Sequence, residues 1–101
     1  MVKLVALFKK PLDASSFEEH YMNIHIPLIK RMPAMKKFEE MKITGALMGH
    51  PQFYRMAEMY FDDQQALNAS MMSPEGIAAA KDLMSFAQEL VEIFIADVEA
   101  H

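Results

Sequence analysis

The chain has 101 residues, 52% of them hydrophobic, with a formal net charge of −4 and no cysteine. That length and apolar content describe one folded domain over residues 1–101 and exclude a disordered chain. Scattered basic residues on an acidic chain exclude a nucleic-acid stripe, and the lack of cysteine excludes disulfides and thiolate chemistry. No apolar run approaches the ~18 residues of a membrane span, so the reading is of a cytoplasmic protein with neither nucleic acid nor membrane as partner.

Residues 2–9 alternate, with Val2, Leu4, Ala6 and Phe8 on one face and Val5 and Leu7 on the other. Both faces are apolar, which predicts a strand covered on both sides. In "PLDASSFEE" Pro11 ends the strand, and Ser15 with Glu18 three residues later has the form of a capping box. A helix is predicted from about Ser16 to Arg31, closed by Pro33. "KKFEEMKITGALMG" alternates again, with Met41, Ile43 and Leu47 on one face, and breaks at a hairpin-type connection, "MGHPQ".

"FYRMAEMYF" predicts a third strand, with Phe53, Ala57, Met59 and Phe61 opposed to Tyr54, Met56 and Tyr60. A second helix begins with Asp62 as its cap and restarts at "SPEG". There Ser73 caps, Pro74 takes the first helical position and Glu75 complements the helix dipole. "LVEIFIADVE" supplies the last strand.

The order β-α-β-β-α-β predicts an α+β, ferredoxin-like fold, a four-stranded antiparallel sheet with both helices on one face. The other face would be bare although its residues are apolar. A second copy packed sheet against sheet is the simplest cover, giving a homodimeric α+β barrel. The expected interface draws on Val2 or Val5, Phe53 or Tyr54, and Ile93 or Ile95.

The first helix carries two histidines. With Phe17 at zero on a helical wheel, Tyr21, Ile24, Leu28 and Met32 form the expected core stripe. His20 and His25 flank that stripe, about 140° apart. Pro27 lacks an N–H, so the Asn23 carbonyl is expected to lose its helical partner and the helix to loosen where His25 sits. Helix geometry alone admits a general acid/base at a pocket mouth or a boundary histidine with a satisfied hydrogen bond, and favours the second.

Other groups point less far. The five-residue spacing of His20 and His25 suits one metal ion poorly, so no metal site is expected. Asp62-Asp63 reads as cap and dipole partner, and Glu39-Glu40 as a solvated pair. Tyr54, Met56, Tyr60 and Phe8 would suit a flexible apolar ligand, and no phosphate cradle or nucleotide fingerprint occurs.

"FEEHYMNIHIPLIKRMP" resembles the signature of the EthD family, named for ethyl tert-butyl ether degradation. That signature has an aromatic residue, a His-Tyr or Tyr-Tyr pair and a His-x-Pro-Leu, matched here by Phe17, His20-Tyr21 and His25-Ile26-Pro27-Leu28. The likeness continues in "SMMSPEGIAAAKDLMSFA" through Phe86 and ends in "FIADV". The resemblance implies a dimeric α+β barrel with a small pocket between the first helix and the sheet. Its wider superfamily includes cofactor-free monooxygenases, a lactone isomerase, haem-degrading enzymes and polyketide dehydratases or decarboxylases.

Within that resemblance His25 carries over most directly as a catalytic residue, with His20 and Tyr21 beside it. The expected activity is cofactor-independent acid/base or oxygenase-type chemistry on a small apolar or aromatic molecule. His25 would move the proton while Tyr21 or His20 orients it or binds a carbonyl or phenol oxygen. The alternative is a non-catalytic ligand-binding or accessory module of a degradation or biosynthetic pathway.

Overall fold

A computed structural model describes all residues, 1–101. Strand β1 (Val2–Phe8) leads into helix α1, which consists of an α-helical segment (Ala14–His20), a π-helical turn (Tyr21–His25) and a closing α turn (Ile26–Ile29). Strands β2 (Lys37–Lys42) and β3 (Arg55–Phe61) follow, then helices α2 (Gln64–Met72) and α3 (Pro74–Ala87), then β4 (Val91–Asp97). The sheet order is β2-β3-β1-β4, with every neighbouring pair antiparallel. This is the ferredoxin-like α+β arrangement expected from the alternating patterns.

β1 lies at the centre because its residues are apolar on both sides. Val2, Leu4, Ala6 and Phe8 are buried under the helices, paired with Phe61, Met59, Ala57 and Arg55 of β3. Two core clusters result. Val2, Leu4, Ile29, Met59, Phe61 and Leu67 fill one end of the helix–sheet layer, and Ala6, Phe8, Phe17, Tyr21, Ala57 and Leu83 the other. The opposite sheet face carries Val5, Leu7, Met41, Met56, Tyr60 and Phe94 alongside a Lys3–Glu58 ion pair. No helix covers it, and Phe94 is half exposed.

Local details differ from the sequence reading. The N-cap of α1 is Asp13, which accepts from the Ser16 amide at 3.0 Å, because Glu18 is drawn away from the Ser15 capping box by Arg55. Asp63, not Asp62, caps α2, accepting from the Ala66 amide at 2.8 Å, while Asp62 lies 3.5 Å from Lys36 Nζ. Ser73 caps α3 as expected, accepting from the Gly76 amide at 3.0 Å with Pro74 in the first helical position.

β2 ends at Lys42, so the alternation through Ile43 and Leu47 and the strand assignment of Phe53 do not hold. A strand needs a ladder, and the β2–β3 ladder closes at Lys42 opposite Arg55. The connection is a loop over 43–54, tied at its base by the Ile43 amide donating to the Tyr54 carbonyl at 2.9 Å.

Candidate functional site

The site begins with the π turn of α1. In i→i+5 register the Ile26 amide donates to the Tyr21 carbonyl, and Pro27, the residue without an amide hydrogen, falls at the start of the next α turn. The added residue rotates everything beyond it by about 100° relative to an ideal α-helix. The buried face therefore runs Phe17, Tyr21, His25, Ile26, Ile29, Met32. Ile24, expected in the core stripe, is 48% exposed, whereas His25, expected at its flank, is 3% exposed.

The same register brings His20 and His25 to one partner. Asp82 of α3 accepts from His20 Nε2 at 2.9 Å (Oδ1) and 3.1 Å (Oδ2), and from His25 Nδ1 at 3.0 Å (Oδ2). A carboxylate only accepts, so each ring nitrogen facing it carries the hydrogen. For neutral His25 this places the lone pair on Nε2, which has no protein partner. Phe86, one turn beyond Asp82, packs against both rings, with centroids 4.4 Å from His20 and 5.1 Å from His25. Burial holds the His25 pKa below its ordinary value, opposed by the hydrogen bond to Asp82.

Between the two core clusters lies an apolar cavity of about 110 Å³. Leu4, Ala6, Phe8, Ala57 and Met59 form its floor on the sheet, Ile29 and His25 one wall, and Ala79 and Leu83 the other. Its far side reaches Met84 and Ile93, at the seam between α3 and β4. His25 is the one ionisable residue in this lining, and no lysine or arginine contributes to it.

Of the other residues expected in a pocket, Phe8 lines the cavity and the rest do not. Tyr54 donates from its hydroxyl to Glu18 Oε1 at 2.7 Å, and Met56 and Tyr60 stand on the uncovered sheet face. Tyr21 stacks on Phe17 with ring centroids 5.4 Å apart, outside the cavity lining. Its hydroxyl is buried without a partner, and that burial pushes the phenol far above its usual pKa. Tyr21 is thus a neutral hydroxyl, and His25 is the one ionisable side chain that lines the cavity.

A second polar cluster seals this end of the core. Arg55 donates from Nε and Nη2 to the two oxygens of Glu18, both at 2.8 Å, and from Nη1 to Glu40 Oε1 at 2.6 Å. Its guanidinium lies 5.3 Å from the Tyr21 ring centroid. Glu40 is therefore a half-buried partner of Arg55 rather than one of a solvated pair. Nowhere in the chain are three or more His, Cys, Asp or Glu side chains grouped to hold a metal ion. Neither Asp82 nor Arg55 was singled out in the sequence, and Glu18, read there as part of a capping box, is instead a partner of Arg55. The nearest signal for Asp82 is an acid flanking the apolar positions Ala79, Leu83 and Phe86 of α3.

Comparison with known proteins supports this architecture. The EthD domain model matches residues 9–89. The chain is 31% identical over 99 residues to an uncharacterized 11.0 kDa protein in the thcB-thcC intergenic region of Rhodococcus erythropolis, covering 98% of this chain and 96% of that one. It superimposes with a TM-score of 0.95 and 41% identity on an ethyl tert-butyl ether degradation (EthD) family protein from Bacillus halodurans, over 98% of this chain and 99% of the other. It shares its fold with SnoaB, a cofactor-independent oxygenase from Streptomyces nogalater, at 14% identity and a TM-score of 0.71, covering 99% of this chain and 94% of that one.

Proposed function

This chain belongs to the EthD family, and from that premise we propose that it binds a small, uncharged apolar or aromatic molecule between α1 and the sheet and performs cofactor-independent acid/base or oxygenase-type chemistry on it. The observation that carries this reading is the placement of His25. Its Nδ1 is held by Asp82 at 3.0 Å, and the rest of the ring belongs to a cavity wall with no other ionisable group. An isolated imidazole in an apolar wall selects a neutral ligand with a hydroxyl, an enol or an acidic C–H within reach of Nε2. A carboxylate or phosphate would meet no cation there.

His25 is the acid/base, with His20 acting through Asp82 and Tyr21 through ring packing. The fold shared with a cofactor-independent oxygenase supports the reaction class. A homodimer joined through the uncovered sheet face completes the reading, since Val5, Leu7, Met56 and Phe94 are apolar there and no element of this chain covers them. A cysteine-free chain suits the reducing cytoplasm.

The test is a thermal-shift comparison of 4-methylphenol with 4-methylbenzoate on the wild-type protein and His25→Ala. Saturation at one hundred times Kd stabilises by about 2.7 kcal/mol, roughly 10 °C or more in a domain of this size. The phenol should shift wild type and not His25→Ala, and the benzoate should shift neither. Equal shifts in both proteins, or a larger shift with the benzoate, would refute the assignment. Binding without turnover of any phenol or enol under air would place the chain among ligand-holding modules.

A further inference from the structure

We propose that Asp82 and His20 form a proton outlet, carrying protons between His25 in the cavity and bulk solvent. The inference rests on His25 being the acid/base group of the site. The cavity wall around His25 is apolar, so the polar side chains able to carry its proton are Asp82 and, beyond it, His20. The three side chains form a graded path outward. The side chain of His25 is 4% exposed, that of Asp82 13% and that of His20 29%.

The distances allow each transfer. When His25 Nε2 takes a proton from a bound molecule, the ring becomes an imidazolium. Its Nδ1 proton then passes to Asp82 Oδ2 at 3.0 Å, which leaves His25 neutral with its hydrogen on Nε2. That same oxygen lies 3.1 Å from His20 Nε2, which receives the proton once exchange with water has moved the resting His20 hydrogen from Nε2 to Nδ1. His20, then an imidazolium, releases its Nδ1 proton to water. One proton moves, and the carboxylate returns to its starting charge. The path could also run inward and recharge His25.

A relay needs a carboxylate free to take up a proton for an instant. Asp82 meets this condition, because only the two histidines lie within ion-pair distance of it. Glu18 and Glu40 do not, since both are held by the permanent cation of Arg55. The two polar clusters thus divide, one joining its carboxylates to arginine and the other joining a carboxylate to two histidines.

The outlet is tested on ligand-free protein labelled with ¹⁵N-histidine, by measuring solvent exchange of the His25 Nδ1 hydrogen at neutral pH. His20→Phe keeps the packing on Phe86 and removes the last transfer. It should slow that exchange by about tenfold or more, with the His25 tautomer and the exchange of buried β1 amides unchanged. Any smaller slowing overturns the proposal, as does an equal slowing of the amides, which would report general stabilisation. Should His20→Phe fail to fold, His20→Gln carries the same measurement. No ligand is involved, so failure here is distinct from failure of the 4-methylphenol shift.

Discussion

Gly76→Ala is expected to destabilise the protein although it replaces glycine by the best helix former. Gly76 is the third residue of α3, and its amide donates to the Ser73 cap at 3.0 Å. A Cβ built there would lie 2.8 Å from Met71 Cα and 2.8 Å from the Met71 carbonyl oxygen, and closer still to the Ser70 carbonyl. Ordinary carbon contacts begin near ~3.5 Å, so the start of α3 must retreat from the end of α2 by most of an ångström or more. Every atom in the way is backbone, so no side-chain rotation relieves the clash. The Ser70 carbonyl is itself engaged, accepting from the Ser73 amide at 3.2 Å and the Ser73 hydroxyl at 2.6 Å.

Overpacking of this kind costs about 3 kcal/mol or somewhat more, and the propensity gain of alanine returns at most about 1 kcal/mol. The net loss of roughly 2–3 kcal/mol corresponds to a fall in Tm of about 10–20 °C. Urea unfolding followed by circular dichroism measures it, with Ala78→Gly on the exposed side of α3 as the control that loses only about 1 kcal/mol. A Gly76→Ala protein as stable as wild type would refute the close approach of the two helices.

The remaining predictions concern the two polar clusters and the π turn. Burial lowers the His25 pKa below its ordinary 6.5, so the unfolded chain binds the extra proton below that pH. Stability is therefore full above about pH 6.5 and falls on acidification toward the folded pKa, by at most about 1.4 kcal/mol per pH unit. His25→Gln should flatten urea midpoints between pH 7.5 and 5.5, and equal slopes in both proteins would refute this. The Arg55 hydrogen bonds hold the Glu18 carboxyl below its ordinary 4.5, so that contribution is present above pH 4.5 and lost as pH falls through the folded value. Arg55→Met, leaving Glu40 without its cation and Glu18 with only Tyr54 and Lys42, should lose about 2–3 kcal/mol at pH 7, and a loss below about 1 kcal/mol would show that solvent already screens them. Pro27→Ala should leave stability unchanged or raise it by up to about 1 kcal/mol while weakening the 4-methylphenol shift, as the π turn regains α register and His25 turns from the cavity. An undiminished shift would show that the turn is held by packing alone.

The architecture was legible in the sequence because alternation and helical spacing record which side of each element faces water. β1 reads as a central strand from Val2 through Phe8, and the Ser73-Pro74 start of α3 is written in adjacent residues. The cap hydrogen bond at that helix start is local, so local sequence suffices for it. The motif around His25 was visible, but its setting was not. A wheel of fixed pitch sends His20 and His25 to opposite flanks, and one π turn brings both to the same carboxylate. Asp82 lies 57 residues from His25, and Arg55 lies 37 from Glu18 and 15 from Glu40. Which acid meets which base depends on the rotation of α1 about its axis and the seating of α3 on the sheet, and those are decided only when the two core clusters pack.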